Sequence, residues 1–324
     1  MMRGYKLKFL LKVKAKLIRI LLWLLFSPFI PINSYLIRKY GNKEIAHQPI
    51  FIIGAPRTGS TVLYQALTNQ SRVLYFDNLV CHLNHIVFIG FWLSQKSFGN
   101  NTHNSFRSNF GNTSRSGLHA PSECGSFWYR WLPKHKHFID YEDIDNIDFN
   151  QIKREITAVT NYWNQPIIFK NLNAGQRMRL IKKIFPEAKF VFITRQPFFI
   201  AQSILEAKRR LNIDDHAFWS IMPKNIEYLR KLDWPNQIAG QIYSLEQQIL
   251  LDAALFKKKS FIRIEYSELS EAKVLELIQT LNLELRINVM KLSLEITEKN
   301  RLFPEETQLL IEAINALNWK NDDK

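Results

Sequence analysis

The chain has 324 residues, 46% of them hydrophobic and 13% aromatic, which is enough to bury a large core and too apolar for a disordered polymer. Two cysteines, Cys81 and Cys124, exclude a disulfide framework and allow at most one bridge, so a reducing compartment is the simpler expectation. The net charge of +15 is concentrated at one end: ten Lys or Arg and no acid precede Glu44, leaving +5 on the remainder, too little for the dense basic stripe of a nucleic-acid binder.

Residues 1–48 read as a basic arm. Lys6 to Lys16 mixes lysines with Leu, Phe and Val, and the apolar run Ile20 to Ile32 is broken by Ser27, Pro28 and Pro31. That run falls short of the ~20 residues needed to span a bilayer, and no small-residue cleavage site follows it. An amphipathic basic helix suits an anionic membrane surface, and equally suits packing on the body with its lysines in water. The expected location is cytoplasmic, with the arm able to rest on the inner face of a membrane.

Residues 49–324 read as the main unit. Phe51, Ile52 and Ile53 form a short strand, apolar on both faces as in a buried parallel sheet. The turn Gly54-Ala55-Pro56-Arg57-Thr58-Gly59 follows, and a helix opens on Ser60 and Thr61. Glycines that let successive amides converge, together with the positive end of a helix, make a cradle for an anion. The run matches the nucleotide-binding G-x-x-x-x-G-K-[ST] pattern except for the lysine, and its cation, Arg57, comes earlier. Without that lysine a triphosphate is poorly handled.

Val73 to Leu93 is apolar and aromatic and reads as helix, with His82 and His85 one turn apart and no further metal ligand placed beside them. Lys96 to Gly117 is an Asn/Ser/Gly-rich loop without hydrophobic period, the composition of a lid or substrate loop. His119 and Glu123 then precede the aromatic block Phe127, Trp128, Tyr129 and Trp131, and residues 77–135 form the expected acceptor region. Further strands are expected at Pro166–Lys170, Lys189–Thr194 and Phe261–Glu265, alternating with helices at 174–185, 235–256 and 304–317. This order predicts an α/β fold, a three-layer P-loop-type parallel sheet with flanking helices, whose ligand lies at the strand C-terminal ends where Lys170 and Arg195 stand. Arg195, a proline two residues on and Ser203 at about two helical turns can converge on one phosphate.

The loop P-[KR]-[ST]-G-[ST]-[ST] after a buried strand resembles the 5′-phosphosulfate loop of the sulfotransferase family. R-x-P-x-x-x-x-x-S from Arg195 to Ser203 is similar to its 3′-phosphate motif, and Tyr266-Ser267-Glu268-Leu269 to its late Tyr-Glu-Asp-Leu turn. The resemblance covers about Pro49 to Leu283. It implies 3′-phosphoadenosine 5′-phosphosulfate as donor, no metal, and a hydroxyl or amine acceptor. It implies Arg57, Thr58, Gly59, Ser60, Thr61, Arg195 and Ser203 as donor contacts, with Arg57 and Lys170 stabilising charge on the bridging oxygen. Cytosolic small-molecule members carry Lys-x-His where this chain has Lys170-Asn171-Leu172, and they carry a G-x-x-G-x-x-K segment that it lacks. Both departures point to the carbohydrate- and protein-modifying branches and to a glycan or lipid-linked glycan as acceptor. The base then falls to Glu123 first, with Asp77 and His119 as alternatives. The rival readings are a small-molecule kinase on the same P-loop architecture, separated by ATP turnover, and a non-catalytic membrane-associated nucleotide-binding protein.

Overall fold

The computed structural model describes residues 24–99, 101–109, 111–287, 289 and 291–319; the Lys6–Lys16 stretch lies outside the described residues. Helix α1 (Ile30–Gly41) leads into strand β1 (Ile50–Ile53) and helix α2 (Ser60–Gln70). Then come β2 (Leu74–Tyr75), α3 (Val87–Phe98), α4 (Phe149–Trp163), β3 (Ile167–Lys170) and β4 (Lys189–Thr194). The chain continues through α5 (Pro197–Arg210), α6 (Trp234–Ala253), β5 (Phe261–Glu265), α7 (Glu271–Thr280) and α8 (Pro304–Asn315).

The five strands form one sheet in the order β2-β3-β1-β4-β5, and every pair is parallel. Because β1 is central, both faces of its side-chain alternation are buried. Phe51 lies in register with Phe169 and Phe190, and these rings pack on one side with residues of α3, α4 and α6. Ile50, Ile52, Ile168, Val191 and Ile193 pack on the other side with α2 and α7. The expected three layers are present. Phe51 is fully buried, so truncation to Ala would cost about 3–5 kcal/mol.

One expectation changes, and the described part of the arm takes one of the two readings left open for it. Residues 73–93 are not one helix: Leu74 and Tyr75 pair with Ile167 and Ile168 as an edge strand, and a short helix, Asn78–His82, precedes α3. An apolar run has no period to separate strand from helix, and the pairing with β3 decides it. The arm is also partly body: α1 lies so tightly on α4 that a Cβ at Gly41 would meet the Arg154 carbonyl at 2.3 Å, and Ile37 enters the core. Asn33 Oδ1 accepts from the amides of Phe88 (3.1 Å) and Ile89 (3.4 Å), which caps the start of α3 and ties α1 to it. Among the described residues, no helix is long and apolar enough to cross a membrane.

Candidate active site

At the C-terminal end of β1 the chain must turn inside the sheet. Gly54 has φ +156° and a Cβ there would meet the Ile193 carbonyl at 2.4 Å; Gly59 has φ +89° and would drive a Cβ into the Tyr266 ring at 2.3 Å. Arg57 adopts the left-handed φ of +72° without being glycine, a conformation that raises its guanidinium from the loop and costs of order 1 kcal/mol or more. The Thr58 side chain turns inward: its hydroxyl is buried and donates to the Ala55 carbonyl at 3.0 Å, so it braces the loop rather than facing a ligand. Helix α2 then starts at Ser60 with no acid in its first turn, which leaves its positive end for an anion.

The two sequence motifs meet. Arg57 Nε donates to Ser203 Oγ at 2.9 Å across 146 residues of sequence. Arg195 leaves β4 and is fixed on three sides: its guanidinium lies 4.3 Å from the Tyr266 ring, Nη2 donates to the Thr297 carbonyl at 2.7 Å, and Nε faces Glu298 at 3.1 Å. Burial first, and then Arg195, push the Arg57 guanidinium below its usual range. A dianion between them would reverse that second effect.

A cavity of about 540 Å³ opens over these groups. Arg57, Gly59, Ser60, Thr61, Glu123, Lys170, Arg195 and Ser203 all line it. Lys170, the last residue of β3, is buried and contacts Glu123 Oε1. Burial, and secondarily Arg57, push Lys170 down to about 7, while the carboxylate in contact works against that shift. Glu123 is 41% exposed, so its other face reaches solvent or a ligand. Gly111 of the Asn/Ser-rich loop lies over the pair, its Cβ position 3.5 Å from Lys170 Nζ and 3.7 Å from Glu123 Oε1.

The other two expected bases are elsewhere. Asp77 is buried as the cap of Asn78–His82, accepting from the Val80 amide at 2.8 Å and the Ser94 hydroxyl at 2.6 Å, and burial pushes its carboxyl up to about 6. His119 bonds the Tyr75 hydroxyl at 2.8 Å and stacks on Phe98 at 4.2 Å; burial and then Arg286 lower it to about 4. Neither lines the cavity. Of the aromatic block, Phe127 and Trp128 go to the core, and Tyr129 reaches the cavity wall, its hydroxyl accepting from Asn173 at 3.0 Å.

Residues 49–282 match the family described as "Sulfotransferase family". The chain belongs to the sulfotransferase family. It is 24% identical over 247 residues to the omega-hydroxy-beta-dihydromenaquinone-9 sulfotransferase Stf3 of Mycobacterium bovis and of Mycobacterium tuberculosis, a match over 66% of this chain. The chain spans 61% of the length of those curated relatives. Among solved structures, sulfotransferase STF9 from Mycobacterium avium aligns over 84% of this chain and 68% of its own, at 13% identity and a TM-score of 0.45. STF1 from M. tuberculosis H37Rv aligns over 84% and 74%, again at 13% and 0.45.

This sulfotransferase-family site also holds groups that the sequence did not disclose. Arg210 and Arg301 line the cavity, which brings its cations to five with Arg57, Lys170 and Arg195, against the acids Glu123 and Glu206. Arg210 follows Ser203 by two helical turns on α5, a spacing that could have identified it. Arg301 had no such signal: it sits in the irregular stretch after residue 291 and is brought in by Glu206, at 2.7 and 2.9 Å, and by its amide donating to Gln202 at 2.8 Å. An excess of fixed cations in one concave site suits a polyanionic ligand.

Beyond Glu123 and Gly111, which line both spaces, lies a second cavity of about 560 Å³. His82, Asn84, His85, Asn112, Ser122 and Ser126 are among its walls. The two cysteines stand there without a disulfide between them, linked through Ser126 Oγ at 3.4 Å from Cys81 and 3.7 Å from Cys124.

Proposed function

We propose that the protein transfers the sulfuryl group of 3′-phosphoadenosine 5′-phosphosulfate to an acceptor hydroxyl. The observation that carries this reading is the bond between Arg57 and Ser203, which joins the loop at the end of β1 to the motif after β4 in one polycationic cavity. The loop and α2 N-terminus with Arg57, Ser60 and Thr61 would hold the 5′-phosphosulfate. Arg195 and Ser203, with Arg210 and Arg301 as further cations, would hold the 3′-phosphate and the ribose side.

In the reaction the acceptor oxygen bonds to sulfur as the bond from sulfur to the 5′-phosphate oxygen breaks. The hydroxyl proton passes to the Glu123 carboxylate, and the charge left on the phosphate oxygen is met by the Lys170 ammonium and by Arg57. Lys170, in contact with Glu123, would hold that carboxylate in place to accept the proton. Its own lowered pKa leaves it able to release a proton to the departing phosphate. Positioning and preorganised charge therefore supply the acceleration.

The acceptor is a hydroxyl on a glycan or a lipid. The named substrate of the curated relatives, an omega-hydroxy-dihydromenaquinone, is a hydroxyl-bearing lipid and supports the second class. The test is incubation with donor labelled in the sulfuryl group and a panel of glycan, lipid and peptide acceptors. Label appearing in an acceptor only when Lys170 and Glu123 are intact is the expected result, and consumption of ATP instead would overturn the reading.

A further inference from the structure

The segment 82–86 has two sides. His82, Asn84 and His85 face the second cavity, whereas Leu83 and Ile86 pack with Phe26, Leu36, Leu79 and Leu93 in a small apolar cluster of their own. The wall of the second cavity is therefore the back of the surface that carries α1 and the turn before it. That surface is apolar in the open: Leu24, Leu25 and Ile32 are more than half exposed, with Phe29 and Ile30 less so, and Tyr35 stands beside them. Ile32, Tyr35 and Lys39 recur at helical spacing on the outer side of α1, opposite its buried Asn33, Ile37 and Gly41. Apolar side chains at the start of the helix give way to Arg38 and Lys39 in its last turn, and Lys43 follows. Seven more cations and no acid precede Leu24 in the sequence.

An exposed apolar face followed by Arg38, Lys39 and Lys43, in a stretch that carries no acid before Glu44, is complementary to an anionic lipid surface, where the apolar residues enter the acyl boundary and the cations meet the headgroups. The second cavity is lined by polar side chains. None of its lining side chains is a plain hydrocarbon; imidazoles, amides, hydroxyls, thiols and the Glu123 carboxylate supply it. His85 Nε2 is buried there without a hydrogen-bond partner, an unmet polar atom next to the space. Polar side chains of this kind can bind the hydroxyls of a lipid headgroup.

Together these observations assign an acceptor class, and the assignment rests on the sulfuryl-transfer reading above. We infer that the protein works at an anionic membrane surface, seated by the face made of Leu24, Leu25, Phe29, Ile32 and Tyr35. From there it takes the polar, hydroxyl-rich headgroup of a bilayer lipid into the second cavity, so that a headgroup hydroxyl reaches Glu123 while the apolar chains stay in the membrane.

The test uses the full chain with a bimane fluorophore on Cys81, which is half-exposed and lines the second cavity, whereas Cys124 is buried. The protein is mixed with phosphatidylglycerol vesicles containing a lipid whose headgroup carries a nitroxide, a contact quencher, and with the same vesicles lacking it. It should float with both, and its fluorescence should fall at least about two-fold on the nitroxide-bearing ones only. Ser114→Cys in a Cys81→Ser background gives the same readout at the cavity rim should labelled Cys81 fail to fold. Ile32→Asp with Tyr35→Asp should lower flotation about ten-fold and leave binding of adenosine 3′,5′-bisphosphate unchanged. No flotation, or flotation without quenching, overturns the inference. Failure of the wild type to bind the bisphosphate in calorimetry would instead bring down the functional reading, so the two failures are distinguishable.

Discussion

Replacing Lys170 by Met should make the protein more stable at neutral pH while it removes most of the transfer. The ammonium is 3% exposed, and its pKa near 7, against 10.5 for an unfolded lysine, sets a ceiling of about 4 kcal/mol on what holding it charged costs the fold at pH 7. The Glu123 carboxylate in contact offsets part of that cost, so the expected gain is about 1–3 kcal/mol. Methionine fills nearly the same volume, and Glu123, 41% exposed, can be solvated once its partner is gone. Because the folded pKa lies below the unfolded one, wild-type stability rises as pH climbs from about 7 toward 10.5, and the gap to the variant should close over that window. Guanidinium unfolding at pH 7 and pH 10 measures both. Transfer should fall about 10²–10³-fold, because the charge on the leaving oxygen loses its nearest preorganised donor. A variant less stable than wild type at pH 7, or a stability gap that widens with pH, would refute the reasoning about the buried cation.

Arg195→Ala should weaken adenosine 3′,5′-bisphosphate by about 2–3 kcal/mol and leave adenosine 5′-monophosphate nearly unchanged, as calorimetry with the two ligands would show. Glu123→Gln should cut transfer about 10²–10⁴-fold with donor affinity within a few-fold, and near-wild-type transfer would remove it as the base. Asp77→Ala should cost about 1–2 kcal/mol in thermal unfolding through the lost cap and spare bisphosphate binding; loss of that binding would show that Asp77 acts in the site. Burial raises Glu246 to about 8, against the pull of Arg263, so Glu246→Gln should stabilise the protein at pH 7 with a gain that fades toward pH 4.5, visible as a pH-dependent shift in melting temperature.

The parts of this site that were legible in the sequence are those set by local chemistry. The runs at β1 and β4 are apolar and bounded by turns, β5 alternates apolar and charged residues, and Gly54, Gly59, Arg57, Arg195 and Ser203 occupy positions whose backbone or helical spacing announces them. What stayed hidden depends on partners far along the chain. Leu74 and Tyr75 become a strand only because β3 offers them an edge. Arg301 enters the cavity only because Glu206 and Gln202 hold it from α5. Asp77, His119 and Glu123 are three plausible bases as residue types; which of them faces the cavity follows from caps and stacking that no spacing records.

The missing P-loop lysine then has a structural counterpart. In the nucleotide-binding pattern the cation stands on the loop itself, directly after the second glycine. Here that position is Ser60, and the loop cation has moved to Arg57, whose left-handed backbone aims it toward Ser203 and the 3′-phosphate motif. The second cation arrives from the sheet, as Lys170 at the end of β3, beside a carboxylate instead of beside a metal site. A lysine after the glycine would serve a terminal phosphate. On the proposed reading, a lysine from the neighbouring strand, in contact with Glu123 at the boundary between two cavities, would stand where donor and acceptor meet and would couple the cation for the leaving oxygen to the base for the incoming one. Restoring the lysine by Ser60→Lys would therefore set an ammonium beside Arg57 in a cavity that already holds five cations against two acids. It should destabilise the fold without conferring ATP turnover, and measurable ATP hydrolysis by that variant would show that loop position alone, rather than the placement of Lys170 and Glu123, decides the chemistry.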